Sequence, residues 1–327
     1  MKSFQEICKM SQAQVKSYMA GYLASKKYKV VGQDGFLYAK GTVPVLLIAH
    51  MDTVHKEPCT VINEKDGILS SPQGIGGDDR CGIFIIMNLV KELNCSVLLC
   101  EDEEIGAVGA RKFTKTEYVK NLDVNYIVEF DRKGDMDAVF YQCDNKKFTS
   151  FITEMTGFKE AVGSFSDISV VAPAAGIAAV NLSSGYYKAH TKDEFVDYGV
   201  MMDTVETAKN LIKAESEKYE YIKKESIYSD YHYGGYDDYS YGGYGGYGRS
   251  RNVPSIYTSS SKYQQTTMMD RCLMEDMDIH LELLWVDESC NEHCAESSGK
   301  TKAEAWANFF MDNPEVSFSM LCDWNFF

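Results

Sequence analysis

The sequence predicts an α/β protein, a mixed central sheet flanked by helices, followed by a small C-terminal α+β appendage. Two observations carry this. Up to about residue 215, short apolar runs alternate with helical patterns, as in sheets covered on both faces. After a Tyr/Gly-rich interruption, globular-looking segments return toward the C-terminus. At 327 residues the chain is long enough for a sizeable core and more than one domain.

The elements follow in order. The stretch "MKSFQEICKMSQAQVKSYMAGYLASKKY" reads as an amphipathic helix, with Phe4, Ile7, Cys8, Val15, Met19 and Leu23 roughly on one face. Strands are expected at "VPVLLIA" (43–49), "CSVLLC" (95–100), "VNYIVEF" (124–130) and "GIAAVNL" (176–182). Helical patterns sit between or around them at 79–93, 107–120 and 198–217. Shorter candidates at 28–31, 36–39, 67–70 and 137–142 would add antiparallel edges. These elements make a first domain, residues 1–221.

Composition then breaks. Ten of the 22 tyrosines fall between Tyr219 and Tyr247, in a stretch almost without aliphatic residues. Such a segment buries too little apolar surface to offset the entropy of ordering, so residues 222–265 are expected to be a flexible linker. Tyrosine spaced by Gly and Ser also favours self-association. The appendage, 266–327, holds a strand pattern at "DIHLELLWV", a short helix at "KTKAEAWANFFMDNP" and a second strand at "SFSMLCDWNFF". Cys290, His293 and Cys294 cluster there, but a structural zinc needs four ligands in paired spacing, and Cys272 and Cys322 lie far off.

Charge and composition exclude several classes. The net charge of −15 argues against nucleic-acid partners, which need a basic face, and against docking on an anionic membrane. No apolar run approaches membrane-span length, and the N-terminal stretch has no signal-peptide core. The expectation is a cytoplasmic protein whose ten cysteines are reduced core thiols.

The chemistry gathers at strand ends. "LLIAHMDTVH" closes an apolar run on His50 and Asp52. Open α/β sheets bind ligands at the carboxyl edge of their strands. In "GIGGDDRCGI", Asp78 and Asp79 follow a Gly-rich turn and precede an apolar helix, where carboxylates also serve as caps. "LLCEDEEIGAVGA" places four acids, 101 to 104, directly after a strand, and crowding like charges is costly unless a cation compensates. Asp131 ends "YIVEFD", and His190 lies in "SSGYYKAHTKDEFV". Imidazole and carboxylate ligands suit zinc or a similar divalent ion, and five ligands with one shared carboxylate make two sites.

These segments, in this order, resemble the motifs of the co-catalytic zinc peptidase clan, which includes tripeptidase T, carboxypeptidase G, acetylornithine deacetylase and related aminopeptidases. "AHMDTV" is similar to the first motif of that clan, "GGDDRCG" to its Asp-x-Lys/Arg-x-Gly motif, "DEEIGAVGA" to its Glu-Glu-x-Gly motif and "HTKDEFV" to its last histidine motif. The resemblance covers roughly residues 1–215. It implies that His50, Asp78 and Asp131 hold one metal, and that Asp78, Glu104 and His190 hold the other. Glu103 would be the general base, and Asp52 would orient His50 from behind. The implied cofactor is two divalent ions, zinc first, with cobalt or manganese as alternatives.

One departure is clear. Several relatives insert a lid and dimerisation domain between the last two ligands. Here Asp131 and His190 are 59 residues apart, an interval that already supplies catalytic-sheet elements. The chain resembles the lidless form. Substrate-end recognition then falls to loops, foremost 156–170, where Ser164 and Asp167 are candidates. Asp167 could meet a peptide's free amine or cap the next helix. His55 reads as second-sphere or solvated.

Three functions follow. The first is an exopeptidase or dipeptidase acting on short peptides. The second is an amidohydrolase or deacylase acting on N-acyl amino acids. The third is a non-catalytic module whose linker and appendage bind a protein partner. The intact Glu103 argues against the third, because a scaffold has no need of a base.

Overall fold

The computed structural model describes residues 1–224, 279–286, 292–299, 308–309, 311–313, 316 and 321–326. The chain divides into two compact units, Met1–Lys224 and Glu225–Phe327.

The first unit begins with α1 (Phe4–Cys8) and α2 (Gln12–Ser25). One helix was expected, and the break has a local cause. Ser11 forms a capping box with Gln14 and so starts a new helix, as Ser3 does with Glu6. The strands that follow are β1 (Val30–Gln33), β2 (Phe36–Ala39), β3 (Val43–His50), β4 (Asn63–Lys65) and β5 (Ile68–Ser70). Next come α3 (Gly77–Leu89), β6 (Cys95–Cys100), α4 (Val108–Phe113) and α5 (Glu117–Lys120). The 107–120 pattern splits because the Thr116 side chain caps α5. After these lie β7 (Tyr126–Arg132), β8 (Asp137–Val139), α6 (Lys146–Thr156), β9 (Lys159–Ala161) and α7 (Asp167–Ala175). The unit closes with β10 (Ala179–Ser183), β11 (Tyr186–Tyr187), β12 (Phe195–Asp197) and α8 (Tyr198–Lys213).

Eight strands form one mixed sheet in the order β1-β2-β6-β3-β7-β10-β8-β9. Its centre, β6-β3-β7-β10, is parallel, so these strands all end on the same edge. Alternation along β3 builds two cores. Val45, Leu47 and Ala49 join the cluster with α1, α2, α3, α6 and α8, and Leu46 and Ile48 join the cluster with α4, α5 and α7. Helix α3 is buried along its whole length, with the run Ile83–Met87 apolar on all sides and the polar residues of its first turn turned to hydrogen-bond partners. Burying both faces explains why the central strands read as continuous apolar runs.

A second sheet, β11-β12-β5-β4, is antiparallel. It sets the exit of β5, which leads into α3, beside the hairpin connection between β11 and β12. Residues 222–224, assigned from sequence to the linker, pair with 142–144 through a Cys143–Lys223 bridge and bonds from Asp144 N–H to Ile222 and Lys224 N–H to Gln142. The remainder of that expected linker lies outside the described residues.

The second unit contains β13 (Ile279–Val286), β14 (Glu292–Gly299) and β15 (Leu321–Phe326) in an antiparallel sheet ordered β14-β13-β15. Two of these strands were expected from sequence and β14 was not. His293 and Cys294 lie in β14, and Cys290 lies outside the described residues. No helix among the described residues is long and apolar enough to cross a membrane. Cys8, Cys59, Cys81, Cys95, Cys100 and Cys143 are free and buried.

Candidate metal centre

The parallel strands deliver their last residues to one place. His50 ends β3, Asp131 lies near the end of β7, and Glu103 and Glu104 follow β6. In the sheet, Ile48 pairs with Glu129, so the ladder carries His50 and Asp131 side by side. Asp78 enters from the start of α3, where its backbone is not yet helical, and its peptide bond to Asp79 is cis. His190 enters from the connection between β11 and β12.

Two groups result, His50–Asp78–Asp131 and Asp78–Glu104–His190, each with candidate ligand atoms within 4.8 Å of one another. Asp78 belongs to both. Its Oδ1 lies 3.0 Å from His50 Nε2, and its Oδ2 lies 3.2 Å from His190 Nε2. His50 Nε2 is 3.5 Å from Asp131 Oδ1, and His190 Nε2 is 3.1 Å from Glu104 Oε2. The five residues that the sequence singled out as ligands therefore converge.

Asp52 stands behind His50, its Oδ1 3.2 Å from the ring Nδ1. It also does what the sequence did not reveal. Its two oxygens accept the backbone N–H groups of Glu103 and Glu104 at 3.0 and 3.1 Å. One carboxylate thus fixes an imidazole and the loop carrying both glutamates. The buried Arg80 anchors the same segment by donating to the carbonyls of Met51, Asp52 and Met10.

Asp79, adjacent to the bridging residue, accepts from Gly82 N–H at 2.9 Å and from His50 N–H at 3.2 Å. The capping reading of the Asp-Asp pair therefore holds for Asp79, while Asp78 turns to the imidazoles. Asp131 is braced on several sides. Its N–H donates to Asn181 Oδ1, and Tyr186 O–H and Ser166 Oγ–H reach its carboxylate, each at 3.2 Å. Ser166 also contacts the buried Glu129.

The 156–170 loop is arranged differently from the expectation. Ser164 is half-buried ahead of α7. Asp167 is fully buried, and neither carboxylate oxygen has a hydrogen-bond partner among the described residues. It is not the cap of α7, because Ser166 occupies that position and pairs with Ser169. Nor does its side chain reach solvent. His55, read as second-sphere or solvated, approaches Glu194 at 3.4 Å.

The electrostatics describe a donor set short of positive charge. Burial pushes the Glu103 carboxyl well above the usual range, and Asp131, Asp167 and Glu104 push it further against the pull of His50. Burial and then Asp78 raise Asp131 to about 7. Burial also raises Glu104. Asp78 runs the other way, since His190 and His50 overcome burial and hold it far below the ordinary carboxylate range. Burial alone would lower His50, but Asp131, Asp52 and Asp78 lift it well above its ordinary value. Hydrogen bonds that its ring donates to the Asp78 and Glu104 carboxylates lift His190 to about 11. Crowded carboxylates that draw protons onto their imidazoles fit divalent cations, which supply that charge directly. Glu104 Oε1, buried and without a partner among the described residues, is a ligand atom to spare. The residues present therefore fit a metal centre.

No family model matches the chain, and no curated protein matches it in sequence. Solved structures do. Aminopeptidase PepT from Bacillus cereus ATCC 10987 is similar with a TM-score of 0.56 at 15% identity, covering 64% of this chain and 96% of that one. Aminopeptidase APDkam598 from the archaeon Desulfurococcus kamchatkensis is similar with a TM-score of 0.52 at 14% identity, covering 65% of this chain and 94% of that one. Likeness at this identity speaks for the fold. The mixed eight-stranded sheet flanked by helices is the fold that these aminopeptidases share, and the acid and imidazole cluster lies at its carboxyl edge.

Proposed function

We propose that the protein is a metal-dependent hydrolase that cleaves a peptide bond at the end of a short peptide, as an exopeptidase or dipeptidase. The observation that carries this reading is the pair of ligand groups sharing Asp78, with Glu103 beside them. His50, Asp78 and Asp131 would hold one ion, and Asp78, Glu104 and His190 the other. Zinc is the first choice, and cobalt or manganese would suit the same donors. When bound, such ions polarise a carbonyl oxygen and make a water acidic enough to attack at neutral pH.

The chain's own residues supply the rest. Glu103 holds no ion in this reading. Its carboxylate accepts the proton of the attacking water and returns it to the amine that leaves. Asp52 fixes the backbones of both Glu103 and Glu104. The 156–170 loop, with Ser164 at its half-buried turn and Asp167 behind it, is the segment assigned to the substrate terminus. The lidless architecture leaves that recognition to loops.

The test is a panel of short peptides and N-acyl amino acids, assayed on the full chain with zinc, cobalt and manganese. Hydrolysis of peptides that stops with chelator and returns with metal is expected. Hydrolysis confined to N-acyl amino acids would replace this reading with a deacylase. A chain that takes up no metal and cleaves neither class would overturn it.

A further inference from the structure

We infer that Glu194 is a positioning residue that clamps the His190 loop to the backbone of Asp78, the residue both pockets share, and so creates the second metal pocket. This inference rests on the metal-centre reading above. Glu194 lies four residues beyond His190, in the connection between β11 and β12, and is almost fully buried at 1% exposure. Its Oε2 accepts the backbone N–H of Gly76 at 2.8 Å, and its Oε1 accepts the backbone N–H of Asp78 at 3.0 Å. His55 Nε2 approaches Oε2 at 3.4 Å. One carboxylate therefore spans the turn that enters α3 and holds the backbone of Asp78 itself. Charge-assisted bonds of this kind are about twice as strong as neutral ones.

The surroundings are shaped around this contact. A Cβ at Gly77 would meet Val196 Cγ2 at 2.7 Å, Tyr186 Cβ at 2.8 Å and Glu194 Oε1 at 3.3 Å. Only glycine lets the β11–β12 connection approach α3 closely enough for the bonds to form. A Cβ at Gly74 would strike the His55 ring, so the imidazole has its own fitted place against the same turn.

The two pockets differ in how they are built, and that difference makes the inference specific. His50 and Asp131 stand on adjacent strands whose register is fixed by the sheet. His190 stands on a connection, with a side chain 56% exposed and a positive φ of 63°. Its approach to Asp78 and Glu104 depends on where that connection is held. Glu194 is the carboxylate that holds it, on the backbone of the very residue both pockets share.

The test compares the full-length chain with Glu194→Gln, Glu194→Asp and His190→Ala, by zinc titration against a competing chelator and by thermal unfolding in excess chelator. The amide of Glu194→Gln sets a donor against one of the two backbone N–H groups. Glu194→Asp keeps the charge but is too short to reach both. Each should weaken one zinc site by about 10- to 100-fold, the range for partners behind metal ligands, and leave the other within about threefold. The weakened site should be the one that His190→Ala removes. Adding Glu194→Gln to His190→Ala should then cost little more, since the two changes act on one pocket. Folded Glu194 variants with two sites as tight as the parent would overturn the inference. So would variants that unfold in chelator, which would make Glu194 a residue of the fold alone, or an equal loss at both sites. A parent chain that binds no zinc would instead overturn the metal-centre reading.

Discussion

Replacing Asp52 by Asn probes the centre through a residue that touches no ion in the proposed arrangement. Asp52 Oδ1 serves both His50 Nδ1, at 3.2 Å, and Glu103 N–H, at 3.0 Å, while Oδ2 serves Glu104 N–H at 3.1 Å. An amide offers one oxygen. If it keeps the Oδ1 position, its NH2 faces Glu104 N–H, donor against donor. If it flips, the His50 and Glu103 bonds are lost instead. At least one bond to a charged acceptor disappears either way, worth roughly 1.5–3 kcal/mol, and the side chain is only 13% exposed, so solvent compensates little. At about 1.4 kcal/mol per tenfold, zinc affinity should fall by roughly 10- to 100-fold. Activity at saturating metal should also fall, because the loop that carries the base is released. Asp52→Ala, which removes all of these acceptors, should be worse than Asp52→Asn. Chelator competition and peptide hydrolysis read the two effects separately. An Asp52→Asn chain with zinc affinity and turnover both within about threefold of the parent would refute the reasoning.

Three further outcomes are expected. Glu103→Gln removes the proton acceptor and should lower the rate by about 100- to 10,000-fold with metal content unchanged, whereas Glu104→Gln should weaken one ion and recover partly in excess metal; near-normal turnover in Glu103→Gln would sink the assigned base. Asp167 is an acid that burial raises to about 6 from 3.8, so its contribution to stability is full below pH 3.8 and is lost as pH rises through 6. Asp167→Asn should therefore raise the Tm at pH 8, by up to roughly 3 kcal/mol of stability, and do little at pH 4; a raised KM for peptides with a free amine would instead assign Asp167 to the substrate. A chain ending at Lys224 should keep fold and activity, while one ending at Tyr221 loses the bonds to 142–144, each worth about 1 kcal/mol; equal Tm values for the two would remove residues 222–224 from the first unit.

Much of the architecture was legible because it is local. The runs at 43–49 and 95–100 are apolar on both faces, and only strands covered by helices on each side can bury them. The helix breaks at Ser11 and Thr116 were written in the sequence too, since Ser-x-x-Gln and Thr before Glu are cap signals, but the longer apolar period masked them. The candidate ligands were legible through the order and wording of the motifs that carry the resemblance, and the sheet accounts for part of their convergence, since His50 closes β3 and Asp131 lies near the end of the parallel neighbour β7. What no local pattern contains is the ring of residues that holds those ligands. Glu194 meets the backbone of Asp78 across 116 positions, and Asn181 meets that of Asp131 across 50. Asp52 was visible as a partner of His50, two residues away, but not as the anchor of Glu103 and Glu104. Asp167 read equally well as a cap or a substrate contact, because a carboxylate's sequence neighbours do not reveal whether water reaches it. The burial pattern of a strand is a property of its segment and was set by the sequence alone. Which backbone amide lies within 3 Å of a given carboxylate depends on how the two sheets are placed around α3, and the tertiary structure decided that.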